Sequence, residues 1–301
     1  MSLLVVGSVA FDSIETPVAS REHVIGGSAV HFSYAAALFA PVKLVGVVGE
    51  DWPNEFTQLL SERGVDTRGL EVVEGKKTFY WKGKYLPNMN DRETLDVQLN
   101  VFGEFDPVLP EDYRQSRLVF LANGSPHLQL KVLDQVADPQ LVVADTMDLW
   151  IQQEPEALLR LLQRVQGVVL NDSEAKLLTQ EENLIRAGHK ILELGPDFVI
   201  IKKGEHGAML FSAEAIYVLP AFPTCDVVDP TGAGDSFAGG MMGFLAEAGK
   251  ADATTIKSAI AYGTLTASFQ VEDFSLERMK SLTRADLDQR FESFREMMRF
   301  E

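Results

Sequence analysis

The sequence predicts an α/β protein with a mostly parallel central sheet, helices on both faces and a small β appendage. Three observations predict it. Short apolar runs at residues 118–121, 141–144, 168–170 and 198–201 alternate with stretches of helical periodicity near 128–136, 156–165 and 184–194. Such alternation builds a parallel sheet through right-handed crossovers. Residues 71–102 differ in character, mixing aromatics, Thr and Val with charge, so their strands read as two-faced rather than core-buried. With 301 residues, 46% of them hydrophobic, one unit spanning 1–301 can bury a large core.

In chain order, residues 3–6 form a buried-type strand, followed by Gly7 and then Asp12. A carboxylate there lies where open α/β sheets hold their ligands; a solvated loop residue is the alternative. Gly26-Gly27-Ser28 leads into an Ala-rich helix with Ser28 as its expected N-cap, and the helix carries His31. A second strand at 42–48 ends in Gly49-Glu50-Asp51, and helical periodicity resumes over 54–63. In the appendage, Pro87-Asn88 signals a turn between strands. Its Phe79, Tyr80, Trp81 and Tyr85 suit ordinary sheet packing as well as stacking on a sugar or base.

Three later strand ends carry polar groups: Asp145, then Asn171 with Glu174, then Lys202 with Gly204 and Gly207. Near the C-terminus, 259–269 reads as a buried helix of small residues and 287–298 as an amphipathic one.

The stretch 226–240, DVVDPTGAGDSFAGG, is the focus of the chain. Pro230 stops an expected strand at Asp229, and helical spacing begins at Ala233. The amides of Gly232, Ala233 and Gly234 then sit at a helix N-terminus, a ready anion site. Asp235 beside them is either a first-turn helix cap or the acceptor of a hydroxyl proton.

Composition removes other classes. The formal net charge of −17 disfavours nucleic acid and anionic membranes as partners, since both reward basic surfaces. Cys225 is the only cysteine, so no disulfide or cysteine metal cluster forms within the chain. No stretch is apolar for long enough to span a bilayer, and a cytoplasmic protein is expected. Walker-type phosphate loops, dinucleotide fingerprints and paired-histidine zinc motifs are missing.

The string D-P-T-G-A-G-D-S-F-A-G-G from Asp229 to Gly240 resembles the C-terminal signature of the PfkB carbohydrate kinases, a family with a ribokinase-like three-layer α/β/α fold and a β lid. The Gly26-Gly27 turn resembles the family's N-terminal signature, and the similarity runs in order along nearly the full chain.

The resemblance implies an ATP- and Mg²⁺-dependent kinase for a hydroxyl of a sugar or sugar-like molecule. Asp235 would be the base and the Gly232, Ala233 and Gly234 amides the anion hole. It assigns Asp12, Gly26, Gly27, Ser28, His31 and Asp145 to the acceptor, and Lys202, Gly204, Gly207 and Thr231 to the nucleotide. Asn171 and Glu174 match its N-x-x-E metal motif. A lid from about 12–30 and 71–102 would close over the acceptor and pair in a homodimer. In some members the loop after the 259–269 helix borders a monovalent cation. His31 stands where the family has Asn, either as an acceptor ligand or as a buried structural histidine, and the Asp145 segment lacks the family's Asn and Arg. The acceptor side is therefore atypical. A nucleoside kinase of this fold and a non-catalytic nucleotide or sugar sensor are the alternatives.

Overall fold

The computed structural model describes residues 1–299. Thirteen strands lie among them: β1 (Leu3–Val6), β2 (Ala10–Glu15), β3 (Ser20–Gly26), β4 (Val42–Gly49), β5 (Val65–Val73), β6 (Phe79–Tyr85), β7 (Arg92–Gln98), β8 (Leu118–Leu121), β9 (Leu141–Asp145), β10 (Gly167–Asn171), β11 (Phe198–Lys202), β12 (Ala208–Ser212) and β13 (Ile216–Leu219). The helices are α1 (Ser28–Ala36), α2 (Asn54–Glu62), α3 (Pro126–Leu133), α4 (Asp148–Gln153), α5 (Pro155–Leu162), α6 (Asp172–Thr179), α7 (Leu184–Glu193), α8 (Ala233–Ala248), α9 (Ala253–Gln270), α10 (Glu277–Lys280) and α11 (Arg284–Met297).

Nine strands form one sheet in the order β13-β12-β11-β10-β9-β8-β1-β4-β5. It is parallel from β5 to β11 and antiparallel over β12 and β13. Period-two alternation sends neighbouring residues of one strand into different cores. Leu3 and Val5 join the core with α1, α8 and α9, whereas Leu4 and Val6 join the core with α3, α5 and α7. Burial on both faces is why these strands read as continuous apolar runs.

The remaining four strands form a second sheet, β3-β2-β6-β7, with β2 and β6 parallel. A small third core of Ile14, Tyr85 and Phe274 joins this sheet to the segment before α10.

Three expectations change. Glu71 to Val73, expected in the appendage, pair with Val47 to Gly49 in the large sheet, and the second sheet is drawn from 10–26 and 79–98. The N-cap of α1 is Gly27 at φ 99°, not Ser28, which is the first helical residue. No strand precedes Pro230: the amides of Val228 and Asp229 both donate to Val271 O, at the end of α9, rather than to a ladder.

Candidate active site

The polar strand ends fall side by side. Asp145, Asn171 and Lys202 are the last residues of β9, β10 and β11, and Asn171 pairs in register with Lys202. The crevice outside the carboxyl ends of parallel strands is where such sheets bind ligands.

The turn before α8 is fixed from behind. Buried Asp229 accepts the amide of Thr231 at 2.8 Å and that of Ser275 at 3.2 Å, tying the turn to the segment before α10. Gly232 caps α8 at φ 74°, a backbone conformation that favours glycine. A methyl group there would also fall 2.4 Å from the His31 ring, so the imidazole packs directly against this glycine.

Among the described residues, the amides of Gly232 and Gly234 have no main-chain acceptor, but that of Ala233 donates to Pro230 O at 3.1 Å. The expected three-amide hole therefore narrows to two amides at the positive end of the helix dipole. Asp235 is in the first turn and is not the cap; Gly232 holds that position. Lys202 Nζ supplies a cation at the same spot, since a methyl group on Gly234 would come within 2.9 Å of it.

Electrostatics tie these groups together. Lys202 Nζ is 3.8 Å from Asp145 Oδ1. Desolvation pulls the amine down, but Asp145, Glu174 and Asp235 outweigh it and leave its pKa above the ordinary value. Desolvation raises Asp235, opposed by Lys202 and Arg92, and pushes Asp145 up to about 6 and Glu174 up to about 7.

Asn171 and Glu174 form a capping box on α6: Asn171 Oδ1 accepts the Glu174 amide at 2.8 Å and Glu174 Oε2 accepts the Asn171 amide at 2.7 Å. Asn171 Oδ1 also accepts from Ser173 Oγ, so Glu174 Oε1 is the oxygen left for a metal. No cluster of three or more metal-ligating His, Cys, Asp or Glu residues occurs among the described residues. That donor set fits Mg²⁺, which keeps several waters and takes one or two carboxylates plus phosphate oxygens.

On the acceptor side, Asp12 is buried in β2. A side chain at Gly26 would meet its Oδ2 at 2.0 Å, so this glycine is what lets the carboxylate lie there. Desolvation, then Asp229, pushes Asp12 up to about 7. Ser28 is engaged internally, its Oγ 3.0 Å from Ser8 Oγ.

His31 is only 2% exposed and is pushed down to about 4 by burial, which outweighs the opposing Gln270 side chain. Its ring packs against Gly232 of the anion turn. Of the aromatics, Phe79 stacks on Phe102 at 5.4 Å and Tyr80 on His23 at 5.1 Å. Tyr85 is buried, with its hydroxyl accepting from Thr231 Oγ1 at 3.2 Å.

Two residues of the second sheet escaped sequence reasoning. Tyr85, read as an aromatic for sheet packing or for stacking on a sugar or base, joins the sheet to the anion turn through Thr231. Arg92 leans over Trp81 at 5.7 Å, and its charge favours ionisation of Asp12, Glu174 and Asp235. Nothing in a charged strand marked one arginine among several charges.

A second group of residues encloses a cavity of about 570 Å³ beside the turn. Lys202, Gly204, Gly207 and Gly234 line it together with apolar Phe222, Val227 and Val271. It brings together three of the four residues expected to hold a nucleotide. Thr231, the fourth, turns its hydroxyl to Tyr85 instead.

With this geometry stand the likenesses to known proteins. The sequence profile of the pfkB family carbohydrate kinases matches residues 2–281, and the chain belongs to that family. It is a phosphotransferase with an alcohol group as acceptor. It is 29% identical over 249 residues to a cytidine kinase of Thermococcus kodakarensis, covering 80% of this chain and 87% of that protein. Its fold matches the nucleoside kinase of Methanocaldococcus jannaschii, an archaeal member of the ribokinase family, with a TM-score of 0.78 at 20% identity, covering 97% of this chain and 98% of that one. An E. coli protein described as a ribokinase II, in complex with ATP and Mg²⁺, matches with a TM-score of 0.78 at 20% identity, covering 97% and 99%. No helix among the described residues is long and apolar enough to cross a membrane.

Proposed function

We propose that the protein transfers the γ-phosphoryl group of ATP to a hydroxyl of a nucleoside, with Asp235 as the base. One observation carries the reading: a single turn gathers two unpartnered glycine amides, the Lys202 ammonium and the Asp235 carboxylate.

Each group has a task there. Asp235 accepts the proton of the attacking hydroxyl, and its raised pKa makes it a stronger base than an ordinary Asp. Gly232 and Gly234 amides and Lys202 stabilise charge on the moving phosphoryl group. Phosphoryl transfer asks the protein mainly for positioning and charge stabilisation, which this turn supplies. When bound, Mg²⁺ neutralises charge on the nucleotide phosphates; Glu174 Oε1 would hold it, largely through water. Asp12, buried in β2 and pushed up to about 7, is suited to orient an acceptor hydroxyl.

The nucleoside acceptor rests on the relatives named cytidine kinase and nucleoside kinase. A phosphorylated sugar is the second reading, supported by relatives named ribose-1-phosphate kinase and 1-phosphofructokinase. Turnover of ATP against nucleosides, free sugars and sugar phosphates decides between them. The reading expects kcat/KM for at least one nucleoside to exceed that of every sugar by roughly tenfold or more, about 1.4 kcal/mol of discrimination. A sugar phosphate as the best acceptor would overturn the nucleoside assignment.

A further inference from the structure

One wall of the nucleotide cavity has no role in the mechanism above. Asn88, Met89 and Asn90, in the turn between β6 and β7, line it. Asn90 Nδ2 donates to Glu205 Oε1 at 3.2 Å, and Glu205 lines the same cavity. Asn90 Oδ1 lies close over Gly204, where a methyl group would come within 2.9 Å of it.

Asn88 is already spent. Its Oδ1 accepts the amides of Asn90 and Asp91, and its Nδ2 donates to Asp91 Oδ2. Asn90 Oδ1 and the second oxygen of Glu205 are left as acceptors at the cavity rim.

The three parts of a nucleoside triphosphate ask for different surroundings. Phosphates match Lys202 and the glycine amides, and the base matches the apolar lining. A carboxylate such as Glu205 repels phosphate but accepts readily from hydroxyls. The ribose diol is the part of the ligand that supplies such donors. We propose that Asn90 and Glu205 together hold the ribose hydroxyls of the nucleotide donor, so that the tip of the β6–β7 hairpin belongs to the nucleotide site. This rests on the reading that the cavity takes ATP.

The connection to the acceptor side is a strand ladder. β6 pairs in parallel with β2, the strand carrying Asp12, and Asp12 is opposite Trp81. One small sheet therefore spans from the acceptor carboxylate on β2 to the hairpin tip at the nucleotide cavity, and any coupling between the two ends is reciprocal.

The test is the KM for ATP, 2′-deoxyATP and 3′-deoxyATP in the parent protein, Asn90→Ala and Glu205→Ala. Loss of a hydrogen bond to a charged group should raise the parent's KM for at least one deoxynucleotide on the order of 10- to 100-fold. In the variants that discrimination should shrink to within about twofold, because little is left for the hydroxyl to bond. Both side chains are exposed, and unchanged melting temperatures would show the variants folded.

Equal KM values in the parent, or discrimination that survives in both variants, would overturn the proposal while leaving the ATP cavity intact. Failure of ATP with Mg²⁺ to displace a fluorescent ATP analogue from the parent would overturn the cavity assignment as well.

Discussion

Asp235 and Asp12 are both carboxylates raised by desolvation, yet the regions that hold them are built differently. Asp235 sits on a turn assembled within seven consecutive residues, from Asp229 onward, with Lys202 close by and the dipole of the long helix α8 behind it. Asp12 sits on a small sheet made from two distant segments, against a bare glycine, with the Gly27 amide and Arg92 as the groups that favour its ionised form. The first region is balanced by its own cation and amides. In the second, desolvation and Asp229 outweigh the Gly27 amide and Arg92, so the carboxylate stays raised to about 7, where a ligand's hydroxyl can favour its ionised form. A kinase can therefore hold its phosphate machinery constant while the acceptor side changes.

The sharpest way to break this contrast is Asp235→Asn. The substitution keeps the turn and the side chain's size but removes the proton acceptor, so turnover should fall by about 10²- to 10⁴-fold. Calorimetry should find ATP affinity within a few-fold of the parent, or slightly tighter as a negative charge leaves. A loss of only a few-fold would reduce Asp235 to a helix-terminus residue.

Lys202→Met comes next. Removing the cation beside Gly234 should lower kcat on the order of 10- to 100-fold, the worth of a charged hydrogen bond, and raise the KM for ATP more than that for the acceptor. Equal effects on both KM values would mean that Lys202 serves the whole cluster rather than the phosphate side.

Asp12→Asn should give the clearest pH signature. The Asp12 pKa is about 7 in the folded protein against an ordinary 3.8, so the folded state holds the proton more tightly than the unfolded chain. That contribution is fully present below about pH 4 and is lost as pH rises through 7. The variant should melt above the parent at pH 8, with the gap closing toward pH 4. A gap independent of pH would show that Asp12 is not a strained ionised group.

The same contrast explains what the sequence revealed. The anion turn was legible because its parts are contiguous: a proline, two glycines and an aspartate at fixed spacing need only local rules. The parallel sheet was legible from its two-sided burial. His31 was not, because spacing cannot tell a pocket wall from a ring packed behind Gly232. Arg92 and Tyr85 were not, because only the pairing of β2 with β6 brings their strands to the site. Ala233 was misread in one detail: the amide expected to be free closes a tight turn onto Pro230.

The central claim is that this turn moves a phosphoryl group to a nucleoside hydroxyl. The most direct measurement is phosphorus NMR of the parent protein with ATP, Mg²⁺ and each nucleoside of a small panel. A new phosphomonoester resonance should grow in step with ADP and be absent without the nucleoside. Tight ATP binding with no phosphomonoester from any nucleoside or sugar would contradict it and leave a nucleotide-binding protein without transfer.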